Sequence, residues 1–196
     1  MAARVLSVSS SANHNFSKPT TPSINLIANY GIEGDCHAGK TVQHLSRLHI
    51  KPAPTNLRQV HLIPIEILNK VSSGLSGTGK AALLKGGALG QNITTEGIDL
   101  LGLSAGTELH FVSPTAKDSD KPTGPILVLT GLRNPCPQID KFQYGLKERF
   151  VIRDTNRQIV GRLAGVMSVV KQGGLIKPGM KIAVVKPAKH VPLGAV

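Results

Sequence analysis

A cysteine held between two prolines is the clearest chemical feature of the sequence. Cys136 lies in the stretch LRNPCPQID, between Pro135 and Pro137 and three residues after Arg133. The thiolate is the reactive form of cysteine, and a nearby guanidinium or a helix N-terminus lowers the pKa of the thiol. The prolines restrict the backbone and so fix the position of the sulfur. The pattern indicates a nucleophilic cysteine, and a small buried hydrophobic residue is the alternative.

A second chemically active stretch is rich in glycine. GIEGDCHAGK, residues 31–40, contains Asp35, Cys36 and His37. An aspartate beside a histidine could orient it, bind a metal or move a proton. Cys36 and His37 could be a ligand pair, but no second pair at metal-binding spacing follows, so we predict no structural zinc.

The net charge of +12 points to an anionic partner. The basic residues are dispersed and aromatic residues make up only 3% of the chain, so platforms for stacking bases are scarce. A small anionic ligand therefore fits better than nucleic acid. A basic nucleic-acid-binding barrel is a third hypothesis, and a steep salt dependence of binding would support it.

Short strands separated by glycine and proline turns must position these residues. One helix is predicted between Pro64 and Gly74, a short one over 80–85, and a helical turn or two after Pro137. The segment 113–125 has the composition of a flexible loop. The apolar pattern predicts strands at 4–9 and 57–63, where it alternates, at 106–112, and at 125–132 as a buried strand, and a strand, two turns and a strand over 162–185. Many short strands with few helices predict a mainly β barrel or sandwich.

We expect one domain over residues 1–196, with a core of about 4–185 and a loose tail at 186–196. Two cysteines are too few for a disulfide framework, which favours a reducing compartment. No apolar run reaches the roughly 20 residues that span a bilayer. We therefore expect a cytoplasmic protein without a membrane partner.

Six motifs in order give the chain a resemblance to the MOSC domain, the family named for the C-terminal domain of molybdenum-cofactor sulfurase. They cover about residues 4–185 and are RVLSVSSSANHNFSKP, GIEGDCHAGK, LRQVHLI, GALGQNITTEGIDL, LTGLRNPCPQID and GRLAGVMSVVKQGGLIKPGMKI. The resemblance implies a small stand-alone member with a mainly β (α+β) fold. That fold is a closed β-barrel with a few short helices, similar to the pyruvate-kinase β-barrel.

The resemblance also implies a function in sulfur or molybdenum-cofactor chemistry. Family members use an essential cysteine as sulfur carrier, and that cysteine falls on Cys136. Bacterial stand-alone relatives are associated with reducing N-hydroxylated compounds. We therefore expect an enzyme that transfers sulfur or reduces such compounds, with molybdenum cofactor or molybdate as ligand and a sulfur-donor protein as partner. Pyridoxal phosphate is also associated with the family, but it belongs to a separate domain of the larger sulfurases and is not expected to act here.

Residue chemistry and resemblance together predict one anion-binding pocket. Cys136 would be the nucleophile or persulfide carrier, and Arg133 would lower its pKa and hold an anionic group. His37 would move protons, with Asp35 orienting it. The remaining anion-binding residues would be Lys18, Asn92 and Thr94, with Lys18 on the pterin phosphate or molybdate oxygens as a point charge.

Alternatives to this prediction remain open. The domain could be a non-catalytic module that binds molybdenum cofactor or an oxyanion, with Cys136 as a molybdenum ligand, because soft thiolates suit such metals. Cys36 and Cys136 could form a reversible disulfide if their Cα atoms lay within about 7 Å. Relatives often have Arg at the position of Cys36 and Glu at that of Gln91, so a positive group and a carboxylate are missing here.

Overall fold

The computed structural model describes residues 2–74, 84–115 and 124–196. Within these ranges the helices are α1 (Ile65–Ser73) and α2 (Gln138–Phe142), with 3₁₀ turns at Leu45–Arg47 and Lys147–Phe150. The strands are β1 (Arg4–Ser9), β2 (Thr20–Thr21), β3 (Ile24–Ile27), β4 (Gly31–Ile32), β5 (Val60–Pro64), β6 (Ile93–Glu96), β7 (Glu108–Val112), β8 (Ile126–Leu132), β9 (Val151–Arg153), β10 (Ile159–Arg162), β11 (Val166–Gln172), β12 (Gly174–Ile176) and β13 (Lys181–Val185).

Seven strands close into a barrel in the order β1, β13, β7, β8, β11, β5, β6 and back to β1. Neighbours are antiparallel except β5 and β6, which are parallel. Strand β2 pairs with the end of β1, strands β12, β3 and β4 form a separate small sheet, and β9 pairs with β10. Closure leaves the barrel without a free edge. The predicted mainly β fold, a closed barrel with a few short helices, is confirmed.

One row of directly paired residues, here called the central row, crosses five neighbouring barrel strands. It consists of Val8, Ile93, Leu62, Val166 and Leu132. Four of the five are completely buried and form part of the barrel core. The residues next to the row in sequence therefore lie close in space, although row members are up to 158 positions apart along the chain, from Val8 to Val166.

A second apolar cluster lies between α1 and the segment after β8. Leu68 and Val71 of α1 pack there with Leu89, Ile139 and Phe150. Burying each such side chain stabilises the fold by about 1.5–3 kcal/mol. Cys136 and Phe16 pack against the edge of this cluster, so the candidate nucleophile is supported from behind by packed side chains.

The glycine-rich stretch before β6 allows two backbones to approach closely. Gly87 has φ +79°, and a Cβ atom there would lie 2.0 Å from the carbonyl oxygen of Lys18. The Lys18 N–H donates to the Gly87 carbonyl at 2.9 Å. Only glycine tolerates both this φ and this contact, so the stretch positions residues 16–18.

Residues 186–196, predicted to be a loose tail, return to the barrel in the structure. The Leu132 N–H donates to the Gly194 carbonyl at 2.7 Å, and the Val196 N–H donates to the Leu132 carbonyl at 3.2 Å. Leu193 is buried in the barrel core cluster. These contacts dock the segment beside β8.

Two sequence expectations fall largely outside the described residues: the short helix over 80–85 and the flexible loop over 113–125. Among the residues that are described, none belongs to a helix long and apolar enough to cross a membrane.

Candidate functional site

A pocket of ≈ 370 Å³ lies beside the central row. Its lining comes from the loop after β1, the loop after β4, the stretch around the first 3₁₀ turn, the residues just before β5 and β6, strands β5 and β11, and the segment from β8 into α2. Four lining residues flank the central row directly: His61, Asn92, Arg133 and Met167. The volume is in the range of small-molecule sites.

Cys136 lines the pocket from the turn between β8 and α2. Its carbonyl accepts the N–H of Ile139 at 3.1 Å, and the carbonyl of Pro137 accepts the N–H of Lys141 at 3.2 Å. These bonds begin α2 directly after the cysteine, as the proline pattern predicted. The thiol is half-buried, with one side on packed residues and the other on the pocket.

Arg133 is held by groups that fix the direction of its guanidinium. Its Nη1 donates to the carbonyl of Leu89 and lies 3.3 Å from His61 Nδ1. His61 Nε2 lies 2.8 Å from the carbonyl of Ala164. A carbonyl only accepts and a guanidinium only donates, so the hydrogen of His61 is on Nε2 and Nδ1 accepts from Arg133.

The charges around Arg133 are consistent with this arrangement. Burial lowers the pKa of His61 well below its usual value, and the positive charge of Arg133 lowers it further, so the ring is neutral. Burial also lowers the pKa of Arg133, while the charge and hydrogen bond of the Cys136 sulfur act in the opposite direction. The guanidinium of Arg133 therefore interacts with the Cys136 sulfur.

Asp35 and Lys18 form a buried ion pair. Lys18 Nζ donates to the two carboxylate oxygens at 2.7 and 2.9 Å, and each side chain is 1% exposed. Asp35 also accepts from Asn92 Nδ2 at 3.0 Å and from the backbone N–H groups of His37 and Ser11 at 3.0 and 3.3 Å. Burial alone would raise the pKa of Asp35, but the hydrogen bonds from His37 and the charge of Lys18 hold it well below its usual range.

This pair changes the roles expected for Lys18 and Asn92. The Lys18 charge is neutralised by Asp35, and the Asn92 amide donates to Asp35 and to the Ser9 carbonyl. Both residues reach the pocket lining, but their side-chain nitrogens donate to Asp35 and Ser9 rather than into the pocket. Thr94, also predicted to bind the anion, is buried outside the lining and lies 3.4 Å from Gln91 Nε2.

His37 lies on the pocket wall within a cluster of polar groups. Its Nδ1 is 3.3 Å from Cys36 Sγ, 3.4 Å from Lys18 Nζ and 3.5 Å from Asp35 Oδ1. Burial lowers the pKa of His37, so the neutral ring is favoured near pH 7. Burial, followed by the charge of Asp35, raises the pKa of the Cys36 thiol.

Asp35, Cys36 and His37 place their donor atoms within 4.8 Å of one another, close enough to share a metal ion. However, the ammonium of Lys18 already contacts both oxygens of Asp35 and lies near His37 Nδ1. A metal cation would compete with this charge for the same ligand atoms. Of the two cysteines, Cys136 lines the pocket and Cys36 does not.

The pocket residues that were not predicted from the sequence include Arg58, His44 and Lys141. Burial, with the charges of Arg47 and Arg133, lowers the pKa of Arg58 to about 10. Burial and neighbouring cations lower the pKa of His44 to about 3. No Asp or Glu of the described residues lines the pocket, so its charge is positive. No local pattern indicated Arg58, because the alternation of LRQVHLI sets it out of phase with the pocket residue His61.

Comparisons with known proteins agree with this fold. The sequence profile of the MOSC domain matches residues 35–183. A search of curated protein sequences returns no match. The crystal structure of the YuaD protein from Bacillus subtilis is similar, with a TM-score of 0.72 and 22% identity over 95% of this chain and 97% of that one.

Another similar structure is YiiM from Escherichia coli, with a TM-score of 0.61 and 14% identity over 96% of this chain and 73% of that one. YiiM from Geobacillus stearothermophilus has a TM-score of 0.59 and 14% identity over 94% of this chain and 75% of that one. At these identities the likeness concerns the fold. Because the profile covers well over half of the sequence, the chain belongs to the MOSC domain family, a family of molybdenum-cofactor-related domains, as its motifs indicated.

Proposed function

We propose that this protein is a sulfur carrier of molybdenum-cofactor chemistry, with Cys136 as the residue that holds the sulfur. The observation that supports this best is the position of Cys136 on a positively charged pocket wall, in contact with Arg133. Cys36 is the matched comparison within the same chain, because it lies outside the pocket lining and burial raises the pKa of its thiol.

In the proposed step, the Cys136 thiolate attacks the terminal sulfur of a donor persulfide. A new S–S bond forms on Cys136, the S–S bond of the donor breaks, and the donor leaves as a thiolate. Arg133 would stabilise the negative charge of the resulting persulfide, because its guanidinium interacts with the Cys136 sulfur. The neutral His37 could accept the proton of the incoming group.

The pocket is suited to the molybdenum cofactor by charge. Arg58, Arg133 and Lys141 line it without a carboxylate among the described residues, and these cations would hold the anionic groups of the cofactor. The cofactor would supply a soft metal centre that accepts sulfur.

The test is to incubate the protein with cysteine persulfide and to locate the added sulfur by alkylation and peptide mass spectrometry. We expect one added sulfur on Cys136 in the wild type and in Cys36→Ser, and none in Cys136→Ser. Melting curves of the three proteins check that each is folded. Addition of sulfur to Cys36 alone, or to neither cysteine, would contradict the proposal.

A second candidate is a module that binds molybdenum cofactor or an oxyanion without catalysis. The position of a half-buried soft thiol on the lining of a cationic pocket favours it, since such a thiol could be a molybdenum ligand. Stoichiometric molybdenum in purified protein, together with a Cys136 that takes up no sulfur, would favour this module. Reduction of N-hydroxylated compounds is the other activity to assay, with Cys136→Ser as control.

The state of the two cysteines bears on the compartment in which the proposed carrier would act. Both cysteines are free thiols in the structure, and a sulfur carrier needs a free thiol. We therefore place the protein in the reducing cytoplasm, where a sulfur-donor protein would load Cys136.

A further inference from the structure

The first 3₁₀ turn, Leu45–Arg47, lies on the pocket wall but buries none of its side chains. Leu45 and Ser46 line the pocket, and Leu45 is nevertheless 64% exposed. The next apolar residue, Leu48, is also exposed, and neither leucine belongs to either of the two buried clusters. Neighbouring apolar side chains left open beside a functional cavity indicate a surface that another molecule covers.

A second side of the pocket carries exposed aromatic residues. Lys141 lines the pocket in α2, and Phe142, which ends this helix, is exposed. The ring of Phe142 lies 5.4 Å from that of Phe16, another lining residue. Tyr144 follows shortly after and is 97% exposed. Large aromatic side chains are enriched at protein interfaces, since they supply contact area at a low cost in conformational entropy.

The segment that carries the 3₁₀ turn is basic. Residues 41–57 contain basic side chains but neither Asp nor Glu. Burial lowers the pKa values of His44 and Arg58 on the pocket lining, and the charge of Arg47 contributes to both shifts, so Arg47 lies near these lining residues. Within the part of the chain that the structure describes, no carboxylate forms an ion pair with Arg47 or Lys141.

The acidic residues beside Lys141 are engaged elsewhere. Asp140 Oδ1 accepts the backbone N–H of Lys147 at 2.8 Å. Glu148 forms a salt bridge with Arg153. The positive charge of Lys141 is therefore open to a carboxylate from another molecule.

These residues form a surface around the pocket, here called the rim. Each of them lines the pocket or lies within a few positions of a lining residue. The rim consists of Leu45, Arg47, Leu48, Lys141, Phe142 and Tyr144. It combines exposed apolar area with positive charge, which suits a partner surface that is apolar and acidic.

The position of Cys136 decides what kind of molecule can use the rim. The thiol is half-buried on the wall of a pocket of ≈ 370 Å³, which holds a small group or the tip of a loop but no folded domain. A donor protein therefore reaches the thiol only with a protruding loop, and the residues that flank this loop come to lie on the rim. A flat lipid surface also contacts apolar and basic residues, but it does not bring a persulfide into the pocket.

We propose that the rim docks a loop of the sulfur-donor protein, and that this loop carries the persulfide cysteine of the donor between apolar and acidic side chains. The apolar side chains of the loop pack on Leu45, Leu48 and Tyr144, and its carboxylates pair with Arg47 and Lys141. Opposite charges across an interface steer the encounter and fix the register of the two surfaces. The inference rests on the proposed function, because it names the kind of protein that loads Cys136.

Fluorescence anisotropy with labelled peptides tests docking apart from the sulfur chemistry. The acidic peptide has leucines, aspartates and glutamates around a serine that replaces the persulfide cysteine, and the matched peptide has lysine at each acidic position. We expect the acidic peptide to bind at least about 10-fold more tightly at low salt, and the difference to shrink at high salt as the charges are screened. Equal binding of the two peptides, or no binding of the acidic one, would overturn the inference. Binding of anionic lipid vesicles without binding of the acidic peptide would assign the rim to a membrane and would overturn it as well.

Variants assign the binding to the rim rather than to the overall positive charge. Leu45→Ser, Arg47→Gln and Tyr144→Ala should each weaken binding of the acidic peptide at least about 5-fold, as truncation of interface anchors does. Val160→Ser is the matched control for Leu45→Ser, because Val160 is 63% exposed on β10, outside the pocket lining. Arg157→Gln is the control for Arg47→Gln, since Arg157 is exposed between β9 and β10. Melting curves check that each variant is folded, and wild-type affinity in folded Leu45→Ser and Tyr144→Ala would refute the docking surface.

The rate at which Cys136 is loaded separates this inference from the proposed function. The donors are the acidic peptide with a persulfide cysteine and free cysteine persulfide. From each donor the terminal sulfur passes to the Cys136 thiolate, and the donor leaves as a thiolate. Tyr144→Ala should load at least about 5-fold more slowly than the wild type from the peptide, but at the same rate from cysteine persulfide, because Tyr144 lies outside the pocket lining. Loading from cysteine persulfide without peptide binding would contradict the docking surface alone, and peptide binding without any loading would contradict the proposed function alone.

Discussion

The buried pair of Lys18 and Asp35 should contribute far more to stability than a surface ion pair. Asp35→Asn leaves the ammonium of Lys18 without a counter-charge at 1% exposure. Removing one partner of a buried pair typically costs about 3–5 kcal/mol. The matched control is Glu96→Gln, which removes the partner of Arg4 at the surface, where the two side chains are 22% and 51% exposed. Such exposed pairs contribute about 0–1 kcal/mol.

Urea unfolding followed by circular dichroism measures both changes. We expect Asp35→Asn to lower the free energy of unfolding by at least about 3 kcal/mol and Glu96→Gln by less than about 1 kcal/mol. The double variant Lys18→Met, Asp35→Asn should be less destabilised than the sum of the single variants, because no charge is left unpaired. If Asp35→Asn and Glu96→Gln were equally stable, the account of the pair would be wrong.

The same pair predicts how stability depends on pH. The pKa of Asp35 is lower in the folded protein than in the unfolded chain. Its contribution is therefore complete above the unfolded value of about 3.9 and is lost as the pH falls below it. The acid side of the stability curve should be flatter in Asp35→Asn than in the wild type.

Further predictions concern glycines, a histidine and a thiol. Gly87→Ala should destabilise the protein more than Gly34→Ala. Both glycines have φ near +75° (+79° and +73°), but only a Cβ at position 87 would clash with a carbonyl oxygen. Thermal melting compares the two variants, and equal decreases in melting temperature would refute the contact. His44 has a pKa of about 3 against 6.5 for a free histidine, so the free energy of unfolding should fall as the pH drops from about 6.5 towards 3. In urea titrations His44→Gln should lose less stability over this pH range than the wild type. An unchanged dependence of stability on pH would contradict burial of the neutral ring. Alkylation of Cys36 should need a higher pH in the folded protein than in urea, because burial raises the pKa of its thiol. Mass spectrometry of the Cys36 peptide measures the midpoint pH of alkylation in both states. Equal midpoints would contradict the raised pKa.

The strands and α1 were predictable because their signals are local. The apolar run of β8, Ile126–Leu132, and the proline before α1 depend only on neighbours in sequence. The family resemblance added the closure of the barrel, which no local pattern shows. The pairing of β1 with β13 joins the two ends of the described core, and periodicity carries no information about such a partner.

The site was harder to predict, since its geometry depends on strand register. Cys136 and Arg133 share a motif and are three residues apart, so their contact was visible in the sequence. Arg58 comes from another motif, and only the folded barrel shows that it lines the same pocket as Arg133. The carboxylate that neutralises Lys18 is 17 residues away, so its charge was expected to be free for the ligand. Leu193, which anchors the tail, has no periodic neighbours that would indicate burial.

The central row has a consequence for how this protein can change. Because the side chains of a strand alternate between faces, an insertion or deletion of one residue in a strand turns its pocket residue toward the core and its core residue outward. In Val60–Pro64 such a shift would exchange His61 with Leu62. Length variation should therefore be tolerated in the exposed turn between β9 and β10, outside the pocket, while strand lengths stay constant. Directed evolution of this pocket should use libraries of substitutions at fixed strand length, and a deletion scan should show where the barrel tolerates no change.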